Sequence, residues 1–312
     1  MIRCLLIVLA VIASPLAIGT TTTLDAGKLK LVSANVVVVD PADGQVVYAK
    51  AANEVTPIAS LTKLMTAMVV LDAALPLDEA LAIDMGDFDY LKGSRSRLRM
   101  GSTLSRDEML KLALMASENR AASALARHYP GGTVAFVEAM NAKAALLGLT
   151  RTHFEDPTGL SPRNVSTATD LANMVQAASG YPLIRSYSTT STHYVEVQPT
   201  GQTIGFNNSN ALVKNSAWDI QLQKTGYIRE AGRCVVMLTT VASRPMVIVL
   251  LDSIGKYTRL GDAQRVKHWL ETGEAMPVVA ARPAVLRSVP KSGKPSKAIQ
   301  GKFASNNKAR GG

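Results

Sequence analysis

The stretch Ser60-Leu61-Thr62-Lys63-Leu64-Met65-Thr66-Ala67-Met68-Val69-Val70 decides how this chain is read. Ser60 and Lys63 stand three apart at the head of an apolar run, Ser60–Ala74, rich in Leu, Met and Ala. Such a run predicts a buried helix rather than an amphipathic one, with Ser60 and Lys63 on one face. A serine hydroxyl is a weak nucleophile until a base takes its proton. A free lysine, with a pKa of about 10.4, is a poor base near neutrality. Burial or a second cation favours the neutral amine. The apolar helix supplies the burial, and Lys224 is the candidate second cation.

Two further strings complete the pattern. Ser117-Glu118-Asn119 falls at the break between two helical segments, Met109–Met115 and Asn119–His128. A hydroxyl there can relay a proton to a leaving amine, and an amide can fix the lysine and a substrate backbone. Lys224-Thr225-Gly226 ends a predicted strand, Gln221–Tyr227. Lys224 and Thr225 offer a cation and a hydroxyl to a carboxylate, and Gly226 lets substrate lie against the strand. The backbone N–H groups of Ser60 and Tyr227 are the candidate oxyanion hole. Each string alone is common; their order and local settings together define one acyl-transfer site.

Strand signals cluster at the two ends of the body. Leu31–Asp40, with Val36–Val39 β-branched throughout, and Gln45–Ala49 flank the turn Pro41-Ala42-Asp43-Gly44. Tyr194–Val197, Gly201–Phe206, Cys234–Val241 and Met246–Asp252 follow after a helical block. Ser105 reads as an N-cap ahead of Asp107 and Glu108, and Thr133–Leu147, Ser166–Ala178 and Gly261–Glu271 read as helices. The expected architecture is α+β: an antiparallel sheet flanked by helices, plus a mainly helical lobe.

Composition narrows the rest. The 312 residues carry a formal net charge of +10. Arg282, Arg287, Lys291, Lys294, Lys297, Lys302, Lys308 and Arg310 supply eight of those charges with no acid among them. The basic character therefore belongs to a tail over residues 276–312, expected to be disordered, and not to a nucleic-acid-binding domain. Arg3, the apolar run Cys4–Ala13 and the small residues Ala17 and Gly19 read as a secretory leader over residues 1–19. Cleavage after Ala26 is the alternative. The apolar run is shorter than the roughly 18–20 residues that span a bilayer. The mature chain would keep only Cys234, so no internal disulfide is expected. That points to a periplasm or cell exterior, a catalytic domain over residues 28–275, and no stable membrane anchor.

The three strings resemble those of the penicillin-recognising serine D,D-peptidases. The resemblance extends to Leu91–Arg99, Met115–Ala122, Asp156-Pro157-Thr158-Gly159-Leu160 and Leu222–Ile228, which are similar to the low-molecular-mass branch of D-alanyl-D-alanine endopeptidases, the penicillin-binding protein 7 type. It covers roughly Ala34–Glu271. It implies the β-lactamase/D,D-peptidase fold and cleavage of D-alanyl–diaminopimelate cross-bridges in peptidoglycan through an acyl-enzyme on Ser60. By the same resemblance Lys63 is the base, Ser117 and Asn119 the second element, and Lys224, Thr225 and Gly226 the third, with Tyr227 beside them as a candidate substrate-binding residue. It implies cross-linked stem peptides as substrates, β-lactams as covalent inhibitors and no cofactor. Tyr227-Ile228 replaces the His-Thr pair frequent in related carboxypeptidases, which favours the endopeptidase branch.

Other readings compete. D-alanyl-D-alanine carboxypeptidase action on pentapeptide stems uses the same chemistry. A non-catalytic wall-binding module would rely on the basic tail. No Glu-x-x-Leu-Asn string supports a class A β-lactamase. His128, His153, His193 and His268 lack zinc spacing. Asp84, Asp87 and Asp89 read as a solvated acidic loop. Arg95, Arg97 and Arg99 alternate as one solvated face of a strand.

Overall fold

The computed structural model describes residues 24–278. In chain order these form strands β1 (Asn35–Val39), β2 (Val46–Lys50) and β3 (Thr56–Pro57), then a 3-10 turn, Ala59–Thr62, running into helix α1 (Lys63–Asp72). Strands β4 (Ala80–Ala82) and β5 (Thr103–Ser105) precede helices α2 (Arg106–Met115), α3 (Asn119–Arg127) and α4 (Gly132–Leu146). Strand β6 (Val165–Ser166), helices α5 (Ala168–Ser179) and α6 (Pro182–Ser188) and strands β7 (Thr192–Val197) and β8 (Gln202–Asn207) follow. Strands β9 (Asp219–Ile228), β10 (Gly232–Val241) and β11 (Arg244–Ser253) and helix α7 (Thr258–Thr272) complete the fold. The expected leader over residues 1–19 and the tail beyond Val278 lie outside the described residues.

The main sheet has the order β2-β1-β11-β10-β9, antiparallel throughout. The first and last segments of the body thus share one sheet. Both faces of its three inner strands, β1, β11 and β10, are covered, which is why these read as apolar runs rather than alternating ones. On one face Val36, Val38, Val235, Met237, Ile248 and Leu250 pack with Ala263, Val266 and Trp269 of α7. On the other, Val37, Val236, Val247, Val249 and Leu251 join the helical core that includes Leu64, Met65 and Met68 of α1 and Leu171, Met174 and Val175 of α5. Every residue from Lys63 to Val70 is buried, so α1 is apolar all round because protein surrounds it on all sides.

Local signals fix the element ends. The Ser105 hydroxyl accepts from the Glu108 N–H at 3.1 Å, and that of Thr167 from the Asp170 N–H at 3.0 Å. Both are N-caps satisfying otherwise orphaned donors.

Several expectations need correction. Ser60 lies in the 3-10 turn, one element ahead of α1. Lys224–Gly226 sits inside β9, which continues to Ile228. Residues 95–99 form no strand: the alternation is present, with Leu98 buried between exposed Arg97 and Arg99, but no partner strand pairs with it. Asp87 is buried and paired with Arg127 at 2.9 Å, not solvated. Helix α6 has no counterpart among the expected helices: it is a short segment opened by Pro182.

Candidate active site

Three elements converge on Ser60. Residue Ala59, just before it, has φ of +48°, and the 3-10 turn carries Ser60 to the head of α1. Lys63 Nζ lies 2.9 Å from Ser60 Oγ, 2.7 Å from Asn119 Oδ1 and 2.6 Å from the Thr158 carbonyl oxygen. Two oxygen acceptors, Asn119 Oδ1 and the Thr158 carbonyl, thus hold the amine beside the Ser60 hydroxyl, and Lys63 itself is fully buried. Burial pushes its pKa down to about 7, against the pull of Asp156, Glu118 and Asp89, which favour the charged form. The expected cause was burial with help from Lys224; burial is the dominant cause here. An amine poised near neutrality, within hydrogen-bond distance of a serine, can take its proton.

Ser117 lies between α2 and α3 with φ of +60°. A non-glycine residue there costs roughly 1–2 kcal/mol, and such strain concentrates at functional sites. The bend puts Ser117 Oγ 2.7 Å from Lys224 Nζ. Asn119 opens α3 and uses both ends of its amide: Oδ1 accepts from Lys63, and Nδ2 donates to Ser94 Oγ at 2.9 Å. The neighbouring Glu118 caps α3 through its carboxylate on the Arg120 N–H.

Strand β9 is the edge of the sheet, so it has backbone groups without a strand partner on one side. A Cβ added to Gly226 would stand 3.0 Å from both Ile58 O and Ser60 N. The absence of a side chain therefore lets β9 lie against the Ser60 turn. Lys224 is fully buried, and its amine also donates to the Thr225 carbonyl at 2.9 Å. Burial lowers its pKa well below the usual lysine range, and the charges of Lys63 and Arg259 add to that. A carboxylate arriving beside it would favour the charged form again. The Thr225 hydroxyl is engaged with Ser209 Oγ at 2.7 Å. Tyr227 is exposed, with the Arg233 guanidinium 4.6 Å above its ring.

Some partners were missed by sequence reasoning. Thr158 belongs to a string that carried a resemblance but no role. Its loop is tied by the Asp156 carboxylate, which accepts from Thr158 N (2.6 Å), Thr158 Oγ1 (2.5 Å), Gly159 N (2.8 Å) and Ser161 N (2.8 Å). Ser94 and Ser209 support Asn119 and Thr225 from distant segments. Arg259, at the start of α7, is buried with Nε and Nη1 lacking any hydrogen-bond partner. A cation left unpaired near Lys224 is a feature that an incoming anion would satisfy.

The arrangement thus joins a serine, a near-neutral lysine, a second hydroxyl on a second lysine, and a free strand edge. Comparison with known proteins agrees with it. The family model for D-alanyl-D-alanine carboxypeptidase matches residues 21–255. The chain is 51% identical over 255 residues to a D-alanyl-D-alanine endopeptidase of Pseudomonas aeruginosa, covering 82% of each chain. It is 48% identical over 278 residues to one of Escherichia coli, covering 89% of this chain and 90% of that one. The crystal structure of the Streptomyces K15 DD-transpeptidase superposes with a TM-score of 0.73 at 27% identity, covering 78% of this chain and 98% of that one. Motifs, fold and relatives converge, and the chain belongs to the D-alanyl-D-alanine carboxypeptidase family as a serine-type D-alanyl-D-alanine peptidase with the penicillin-recognising hydrolase fold.

Proposed function

We propose that the chain is a D,D-endopeptidase that hydrolyses D-alanyl–diaminopimelate cross-bridges of peptidoglycan. Neutral Lys63 takes the Ser60 proton as Ser60 Oγ attacks the D-alanyl carbonyl. Ser60 and Tyr227 N–H groups stabilise the oxyanion. The C–N bond breaks, and Ser117, resting on Lys224, passes a proton to the leaving amine while Lys224 makes good the Ser117 proton. Water then attacks the ester carbonyl: its proton passes through Ser117 to Lys224, which recovers the one it lost, its hydroxide bonds to the acyl carbon, and protonated Lys63 returns its proton to Ser60 Oγ as the ester C–O bond breaks. Asn119, Thr225, Gly226 and Tyr227 hold the peptide along β9, with Lys224 and Arg259 facing its carboxylate. The observation that carries this reading is the buried Lys63 amine, held 2.9 Å from Ser60 Oγ by Asn119 and the Thr158 carbonyl. The preference for cross-bridges is supported by 51% and 48% identity to enzymes named endopeptidases.

β-Lactams acylate the same serine in this reading, because their reactive amide meets the same nucleophile. The enzyme works in the periplasm, delivered by a leader over residues 1–19. Among the described residues no helix is long and apolar enough to cross a membrane. The tail adds affinity for anionic wall polymers without touching the chemistry.

The test uses purified protein with a cross-linked dimeric muropeptide beside a monomeric pentapeptide, and Ser60→Ala as control. Dimer converted to monomers by the wild type alone is expected. Release of D-alanine from the pentapeptide alone would move the assignment to carboxypeptidase. Wall binding without turnover would mark a binding module.

A further inference from the structure

The segment Ser94–Arg99 leads away from the catalytic amide. Ser94 accepts from Asn119 Nδ2, and the chain then presents Arg95, Arg97 and Arg99 as exposed residues, with Ser96 half-buried and Leu98 buried between them. The segment is pinned without a β-ladder. The Arg120 guanidinium donates to the Leu98 carbonyl at 2.5 Å and stacks on Phe88 at 3.8 Å. The outward cations are thus set by buried Leu98 and the half-buried Arg120 and Phe88.

Arg97 and Arg99 line a cavity of about 260 Å³ between this segment and the β7–β8 hairpin, whose other walls include Ser102, Gln198, Thr200 and Gln202. Arg97 is held in place there. Its guanidinium lies 4.1 Å from the Phe206 ring centroid and donates to the Gly205 carbonyl. A guanidinium has five N–H donors, so most of its capacity is left over. None of Arg95, Arg97 and Arg99 forms an ion pair among the described residues, whereas Arg106, Arg127, Arg163, Arg244 and Arg265 each do. Three like charges side by side without an acid favour an anionic ligand over solvent alone.

The patch is tied to the site through Ser94, which accepts from Asn119, so an anion carried by the bound substrate is the natural candidate. Three extended residues span at most roughly 11 Å and five roughly 18 Å, so Arg97 and Arg99 lie within those limits of Ser94. A stem peptide covers the same range in about three to five residues. Its carboxylates recur along that length.

We propose that Arg97 and Arg99, with the cavity beside them, form a carboxylate subsite for a peptidoglycan stem, and that this subsite selects long cross-linked substrates over short ones. The inference rests on the endopeptidase reading and adds the residues that give it specificity. The arginines act at a distance from the reacting atoms and bear on KM more than on the chemical step. Planar guanidinium groups suit this task, since they bind carboxylates in bidentate fashion.

The test compares wild type with Arg97→Gln/Arg99→Gln on two substrates: a dimeric muropeptide, and N-acetylated D-Ala-D-Ala dipeptide extended by one neutral residue. For the dimer, KM is expected to rise roughly tenfold with kcat little changed, as for the loss of charge-assisted hydrogen bonds. For the short substrate neither constant should move. Wild type given a dimer with its stem carboxylates amidated should show the same rise, and the double variant no further one. Arg97→Lys/Arg99→Lys, which keeps the charges, should recover part of the loss. An equal fall on both substrates, or an unchanged KM for the dimer, overturns the subsite while leaving the endopeptidase reading intact. Wild type that cleaves no dimer at all overturns both.

Discussion

Replacing Gly159 by alanine should damage the site more than its size suggests. Gly159 has φ of +82°, a region that costs an alanine roughly 1–2 kcal/mol. The added Cβ would also meet backbone: 2.0 Å from Ala59 O, 2.3 Å from Ala59 C and 2.8 Å from Ser60 N. No flexible side chain can yield there, so the Asp156–Leu160 loop or the Ser60 turn must shift. Overpacking of this kind costs about 1–3 kcal/mol, which with the backbone strain gives about 3 kcal/mol in all. For a domain of this size that corresponds to a fall in Tm of roughly 6–12 °C. The shift would also pull the Thr158 carbonyl from its 2.6 Å contact with Lys63, and a misplacement near 1 Å can cost about a hundredfold in rate. The assay pairs thermal melting with the rate of acylation by a fluorescent penicillin. Gly44→Ala is the control: its φ is +74°, and an added Cβ meets nothing within 4 Å. It should lose about 1 kcal/mol and no acylation rate. If both variants melt alike and acylate at the wild-type rate, the packing of Gly159 against the Ser60 turn is not what aligns the site.

Two other outcomes follow from the charges. Lys63 accepts a proton only as the neutral amine, so the acylation rate should climb about tenfold per pH unit and level off near pH 7, where burial has set its pKa; a rate flat from pH 5 to 8 would refute this. The same shift has a stability counterpart: between about 7 and its ordinary value of 10.5 the unfolded chain holds the Lys63 proton and the folded one does not, so this group's contribution to stability rises with pH across that window. Arg259→Met should raise KM for the peptide about tenfold while leaving Tm unchanged or higher, because it removes a buried cation with two unpartnered nitrogens; a lower Tm with an unchanged KM would make Arg259 a structural residue only.

Much of this was legible in the chain. The Val36–Val39 run and the late apolar segments Cys234–Val241 and Met246–Asp252 announced a covered sheet, because burial on both faces erases polar alternation. The motif residues were legible because each sits at a local landmark: Ser60 at the start of an apolar run, Ser117 at a helix break, Lys224 on a strand. What stayed hidden depends on contacts between distant segments. Thr158, Ser94 and Ser209 bond site residues from loops with no local signature, and the charge of Arg259 bears on Lys224 from a helix start. Alternation at Arg95–Arg99 suggests a strand, yet buried Leu98, pinned by half-buried Arg120, produces the same pattern without a ladder. Helix α6 is only seven residues and opens on Pro182, too short to show a period. The cause of the Lys63 shift was half legible: burial could be read from α1, but the opposing carboxylates Asp156, Glu118 and Asp89 come from three other segments.

The central claim is that Ser60, activated by Lys63, carries the acyl group. Incubation of the purified protein with a β-lactam, followed by intact-mass and peptide-level mass spectrometry, tests it most directly. One adduct per chain is expected, located on the peptide containing Ser60, lost in Ser60→Ala and formed far more slowly in Lys63→Met. An adduct on another residue, or one that survives Ser60→Ala, would contradict it.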